Sequence, residues 1–264
     1  MINLNPFPFR ATCVLLDKKG IVDSSGNMDD IRPWKSVTKI LTAICVLQAV
    51  DADQLALTDP LGPATLADVL SHSSGLAADF DKTLAAPRRR RIYSSYGYDL
   101  IGEYFREKTG IGIGDWMHKY LLPDLDMDTT ELNGSPAHAA SGSTRDMARL
   151  AGALLRAEVL PAHLDAALTT PHNPGLPGVL PGYGTQNDNL WGMGCEIRGQ
   201  KTPHWTAPES SAETFGHFGM SGSFLWVDRG RGLAAVFTGT ENFGPLHKQH
   251  WPTLNSQLLQ LANR

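Results

Sequence analysis

Cysteine is scarce in this chain: Cys13, Cys45 and Cys195 are the only three in 264 residues. Three cannot make a disulfide framework, and their spacing fits no zinc-ligand pattern. Cys13 lies in a strand-like run and Cys45 in an apolar helical run, so both read as small core residues. The nine histidines are scattered, without a pair at metal-ligand spacing beside acids, which argues against a metal enzyme. No strong charge imbalance exists either. The net charge is −4, and no basic-and-aromatic pattern points to nucleic acid. No apolar run reaches the length of a membrane span. The first residues, Met1-Ile2-Asn3-Leu4-Asn5-Pro6, lack the charged start and apolar stretch of a secretory leader. These absences predict a cytoplasmic protein that binds neither nucleic acid nor membrane. There is no internal repeat, and the one concentration of charge, Arg88-Arg89-Arg90-Arg91, reads as a solvated loop.

What the chain does hold is core material, 42% hydrophobic residues, enough for one large domain. The runs Ala11 to Leu16 and Ile21 to Ser24, separated by Asp17-Lys18-Lys19-Gly20, predict a hairpin. Residues 26–33 read as a loop. From Leu66 to about Gly110 the pattern is helical, interrupted at His72-Ser73-Ser74-Gly75-Leu76. Thr144 to Glu158 predicts a helix that Ser143 or Thr144 can cap. Pro161 to Asn189, rich in proline and glycine, reads as a long irregular connection. Residues 191–197, 224–227 and 233–237 are strand-like, the last two joined by a turn at Asp228 to Gly232. Trp251 to Asn263 reads as an amphipathic terminal helix. Strands at both ends with helices between them predict an α/β fold of the α+β type. One antiparallel sheet, formed by both termini (about 1–50 and 190–264) and flanked by helices, would carry an inserted, mainly helical part at 51–189.

Four stretches carry the chemistry. Ser36-Val37-Thr38-Lys39 opens an almost wholly apolar helix, placing a hydroxyl at its N-terminus and an amine one turn along the same face. A serine hydroxyl becomes a useful nucleophile only when a neighbouring base takes its proton. A lysine can be that base if burial and the helix dipole lower its pKa. The backbone N–H of Ser36 could also face a developing oxyanion. Taken alone, this spacing equally suits a serine cap and a lysine reaching water. The other three stretches are His72-Ser73-Ser74-Gly75-Leu76, Tyr93-Ser94-Ser95-Tyr96-Gly97-Tyr98 and Phe215-Gly216-His217-Phe218-Gly219-Met220-Ser221-Gly222.

In this order the four stretches resemble the serine β-lactamase and penicillin-binding protein superfamily, and more closely its class C and esterase-like branch. That branch reads Ser-x-x-Lys, a His-Thr-Ser-Gly-Leu-like turn, Tyr-Ser-Asn-x-Gly-Tyr, then a Lys- or His-x-Gly strand. The resemblance implies a β-lactamase/transpeptidase-like fold and a serine hydrolase working through an acyl-enzyme, with no cofactor. Ser36 would be the acylated nucleophile, Lys39 its amine partner and Tyr93 the second member of a proton relay. A close lysine ammonium would favour phenolate character at Tyr93. His217 and Gly219 would lie on the edge strand lining the site, with Gly219 letting substrate approach the backbone. The Met220 N–H would join that of Ser36 as oxyanion donor. His72 is expected to hold a turn. Two departures bear on substrate. Ser95 stands where the family often has Asn, and lacks the amide's donor–acceptor pair. His217 stands where β-lactamases and peptidases have Lys, and carries a full charge only when protonated. The resemblance thus implies a small ester, amide or β-lactam substrate. The departures favour an ester or small D-amino-acid derivative over a penicillin. A true β-lactamase or D-alanyl-D-alanine carboxypeptidase is the alternative, and a non-catalytic ligand-binding member the second.

Overall fold

The computed structural model describes residues 1–262. Six strands form one antiparallel sheet: β1 (Ala11–Asp17), β2 (Gly20–Ser25), β3 (Glu196–Ile197), β4 (Phe215–Gly219), β5 (Ser223–Asp228) and β6 (Leu233–Gly239). Their order is β3-β4-β5-β6-β1-β2, so the N-terminal hairpin closes onto the last strand of the chain, as expected from the two apolar ends. Val14 pairs with Val236 and His217 with Leu225 in that ladder.

Successive residues on a strand face opposite sides of the sheet, and here both sides are covered. Val14, Leu16, Leu225, Val227, Ala234 and Val236 join one core with helices α1 (Thr38–Asp51) and α5 (Thr144–Arg156). Cys13, Leu15, Phe224, Trp226, Ala235 and Phe237 face the other way, against Trp251, Leu254 and Leu258 of α7 (Pro245–Leu261). Double coverage explains why these strands read as continuous apolar runs rather than as alternation. Helix α1 is buried at every position from Thr38 to Leu47, because the sheet covers one side and further helices the rest. Those are α3 (Ser95–Thr109), α4 (Ile113–Tyr120) and α6 (Ala162–Thr169), with α2 (Leu66–Leu70) beside α3.

Several local expectations give way. Residues 31–33, expected as loop, form a short strand paired with Ser141 to Ser143. The supposed irregular stretch holds α6, whose Leu164 and Leu168 are one turn apart and buried, and a hairpin pairing Gly178–Leu180 with Gly184–Gln186. Of the expected strand at 191–197 only β3 is extended. Helix α7 begins six residues before Trp251, and the expected end at Asn263 lies outside the described residues. The cap of α5 is Ser143, whose Oγ accepts the Asp146 N–H.

The arginine run is not a plain solvated loop. Arg88 meets the buried carboxylate of Asp68 through Nε and Nη2. Arg91 is buried and donates to the carbonyls of Ser71, Asn189, His172 and Asn173, tying the chain before Tyr93 to two distant loops. Arg89 and Arg90 are exposed. Replacing Arg91 by Met leaves these carbonyls, two of them in fully buried bonds, without a donor. Arg91→Met is therefore expected to cost about 3 kcal/mol or more of stability in urea unfolding, while Arg90→Met leaves the midpoint near that of the wild type.

Candidate active site

Lys35–Val37 form a single 3₁₀ turn, and α1 begins only at Thr38. Ser36 therefore stands one step ahead of the helix, and its side chain caps nothing. Lys35, just before it, has a φ of 48°, a left-handed conformation that costs energy outside glycine. Trp34 holds the turn in place. Its indole is fully buried and donates to the Gly142 carbonyl at 3.1 Å, and its own carbonyl accepts the Ser223 hydroxyl at 2.9 Å. The end of β4 packs against this turn. A side chain at Gly219 would sit 2.3 Å from the Trp34 carbonyl and 3.1 Å from Lys35 Cβ. Gly219 thus allows a close approach of β4 to the Ser36 turn.

Lys39 lies fully buried one turn into the chain after Ser36. Its Nζ donates to the Ala137 carbonyl at 2.9 Å and, more weakly, to Ser95 Oγ at 3.4 Å. It also sits 4.7 Å from the ring centre of Tyr93 and 5.2 Å from that of Tyr98. Burial pushes its pKa down to about 7, against the opposing charges of Asp99 and Asp79. Segment 136–140 fixes the top of α1 with two further bonds, from the Thr42 hydroxyl to the Pro136 carbonyl and from the Ala140 N–H to Thr38 Oγ1.

Tyr93 precedes α3, whose N-cap is Ser94: the Ser94 Oγ accepts the Gly97 N–H at 2.9 Å. The phenol is in hydrogen-bonding reach of the Ser36 hydroxyl, and burial raises its pKa despite that contact. The expected phenolate character is therefore not found: desolvation outweighs the Ser36 hydrogen bond, and the charges of Glu196 and Asp79 act in the same direction as burial. His217 Nδ1 bonds the Phe218 carbonyl at 2.6 Å and so carries the proton, which leaves the Nε2 lone pair to face the Tyr93 hydroxyl at 3.4 Å. Burial, then the nearby Lys39, push the His217 pKa down to about 3. The His217 side chain is therefore neutral at physiological pH. His72 does hold its turn: at a φ of 59° its Nδ1 accepts the Ser94 N–H at 3.1 Å, and its ring packs 4.5 Å from that of Tyr93.

β3 pairs only with Phe215 and Gly216, so the His217–Gly219 half of β4 is a free edge toward the site. Beyond it the turn carries Met220, half exposed. Among the described residues, neither the Ser36 N–H nor the Met220 N–H donates to a protein acceptor. Both are thus available to a ligand oxygen, and Ser36 and Met220 share one cavity of about 40 Å³ with Tyr93 and His217. Ser36, Lys39, Tyr93, Ser95, His217, Gly219 and Met220 are therefore all brought together. The motifs missed four residues that shape the same cavity: Leu180, Pro181, Trp191 and Glu196. Trp191 packs against His72, Tyr93 and His217. Its neighbourhood of small residues is the one signal that could have marked it. Gly194, at a φ of 80°, lies so close to α1 that a side chain there would meet Ala43 Cβ at 2.3 Å.

The chain matches the Beta-lactamase family over residues 12–259. Among solved structures, a beta-lactamase from Mycobacterium bovis is 38% identical, with a TM-score of 0.96 over 99% of this chain and 98% of that one. A penicillin-binding protein homolog from Caulobacter crescentus has a TM-score of 0.78 at 17% identity, over 99% of this chain and 94% of that one. A D-stereospecific amidohydrolase from Streptomyces has a TM-score of 0.70 at 16% identity, over 96% and 92% respectively. The last two share the fold alone. No curated protein is similar enough to be matched. With the family matched over nearly all its length and its motif residues gathered around one cavity, the chain belongs to the beta-lactamase family.

Proposed function

We propose that the protein is a serine hydrolase that works through an acyl-enzyme at Ser36 on an uncharged ester or small amide. The observation that carries this reading is Lys39: a buried amine with no carboxylate in contact, its pKa near 7, one turn from Ser36 and against Tyr93. Such an amine is substantially neutral at physiological pH and can take the Ser36 proton as the hydroxyl attacks the substrate carbonyl. The Tyr93 phenol, kept protonated by burial, donates to the leaving group and is reprotonated through Lys39. The Ser36 and Met220 amides receive the oxyanion. Water, activated by the same pair, releases the acyl group.

A lactam substrate is the second reading, favoured by the 38% identity to a protein described as a beta-lactamase. Against it stands the neutral His217, which offers no cation to the carboxylate of a penicillin. The two are separated by measuring p-nitrophenyl butyrate and nitrocefin turnover side by side, with intact mass after fluorophosphonate treatment. An adduct on the wild type, absent from Ser36→Ala, together with ester turnover well above that variant supports the hydrolase. No adduct and no turnover above the variant overturns it.

The lysine base has a pH signature. kcat/KM for a neutral ester reports ionisation in the free enzyme. It is expected to rise about tenfold per pH unit up to pH 7 and then level off as Lys39 loses its proton. With the Tyr93 pKa raised, no alkaline fall follows up to pH 9. A profile flat between pH 5 and 8 would remove Lys39 from that role. The substrate preference has its own test. His217→Lys supplies the missing cation and is expected to raise the ratio of nitrocefin to ester turnover about tenfold. An unchanged ratio means that His217 does not set the preference.

A further inference from the structure

The cavity beside Ser36 is small. At about 40 Å³ it has room for about three water-sized groups, far below the pockets that enclose drug-sized ligands. Its walls are also braced. Leu180 is buried at the tip of the Gly178–Gln186 hairpin, and the Tyr183 N–H bonds its carbonyl at 2.9 Å. The Tyr183 ring packs edge-on against Phe218 at 6.0 Å and lies 5.9 Å from Phe243. The base of the hairpin is pinned as well, since the Arg91 N–H bonds the Pro177 carbonyl, and a side chain at Gly178 would collide with the Arg91 carbonyl. Trp191, 1% exposed, is fixed by its indole N–H to Asn189 Oδ1 at 3.2 Å. The hairpin is thus anchored at both ends, and little slack is left for the pocket to widen around a long chain.

One wall carries charge. Glu196 is buried, and three donors hold its carboxylate: Lys201 Nζ at 2.9 Å and His204 Nε2 at 2.8 Å on Oε1, and the Trp205 indole N–H at 2.7 Å on Oε2. So held, it cannot swing away. Lys201, which balances it, is held by the Leu190 and Ile197 carbonyls and does not line the cavity. The charge of Glu196 is felt at both Tyr93 and His217. A carboxylate on the acyl group would therefore lose water against a fixed negative group, with His217 offering it no cation.

We infer that this pocket selects a short, uncharged acyl group, with Leu180 and Trp191 limiting its length and Glu196 excluding a second carboxylate. The inference rests on acyl-enzyme formation at Ser36 and assigns the substrate class within it: esters of small monocarboxylic acids, cleaved by attack of Ser36 Oγ on the carbonyl carbon with departure of the alcohol.

The test compares substrates on the wild type first. kcat/KM for p-nitrophenyl butyrate should exceed that for the octanoate at least about tenfold, and ethyl butyrate should exceed monoethyl succinate by a similar factor, with proton release followed for the ethyl esters. These last two acyl groups have equal length and differ in charge. Leu180→Ala should then raise the octanoate-to-butyrate ratio about tenfold. Glu196→Gln combined with Lys201→Met, which keeps the cluster neutral, should raise only the succinate-to-butyrate ratio. Equal wild-type rates on octanoate and butyrate, or on the charged and uncharged esters, overturn the assignment, and that comparison needs no variant to fold. Fluorophosphonate labelling of Ser36 separates the failures. Labelling with equal rates sinks only the pocket assignment, whereas no labelling and no turnover removes the acyl-enzyme reading and the assignment with it.

Discussion

Everything at this site depends on keeping a lysine amine out of water. Moving an ammonium into a protein interior is costly unless partners replace its hydration. Lys39 receives little replacement: one carbonyl, one distant hydroxyl and the faces of two aromatic rings. It is held there by the sheet, which closes one side of α1, and by segment 136–140, which closes its top through Thr38, Lys39 and Thr42. The structure thus makes the charged form of Lys39 unfavourable while keeping the amine against Tyr93, the partner of the Ser36 hydroxyl.

Two other buried cations show how much the partners matter. Lys201 meets Glu196 directly as well as two carbonyls, and Arg91 meets four carbonyls. Burial lowers the pKa of all three, but Arg91 falls only to about 10 and remains charged. Lys201 and Arg91 act as fasteners, one beneath the cavity wall and the other behind Tyr93. Lys39, with the poorest set of partners, is lowered to about 7. Here the difference between a structural cation and a candidate base lies in the number and kind of acceptors, not in depth of burial.

Much of this was legible in the sequence, where the signal was periodic or local. The two apolar ends predicted a shared sheet because strands covered on both faces read as unbroken runs. The Ser36, Tyr93 and His217 stretches were legible because short backbone patterns with glycine at fixed offsets mark turns and strand ends. What could not be read was anything set by distance along the chain. Leu180 reaches the cavity from a stretch where proline and glycine hid both a helix and a hairpin, and Trp191 and Glu196 from a run that read only as a strand. Leu164 and Leu168 carried that helix's spacing, but the breakers around them were more conspicuous. The ionisation of Tyr93 is hidden from the sequence for a related reason. Sequence names the neighbouring groups, whereas desolvation, the largest cause of the raised pKa, exists only once the chain has closed around the phenol.

The geometry of the Ser36 turn follows from the same closure. A left-handed Lys35 is disfavoured by roughly 1–2 kcal/mol in isolation, so packing must hold it. Trp34 supplies the anchor behind the turn, and β4 presses on it from the front, where only a glycine at 219 fits beside the Trp34 carbonyl. The Ser223 hydroxyl, on β5, ties that carbonyl to the sheet. Phe243, just before α7, reaches back to hold the Met220 carbonyl at 3.0 Å. The two amides proposed to receive an oxyanion therefore belong to segments locked to each other through Trp34 and Gly219 and, at Met220, to the chain entering α7. Their separation is set by backbone packing across the sheet edge, which a substrate cannot readily adjust. A site built this way is arranged before any ligand arrives, as stabilisation of a developing charge requires.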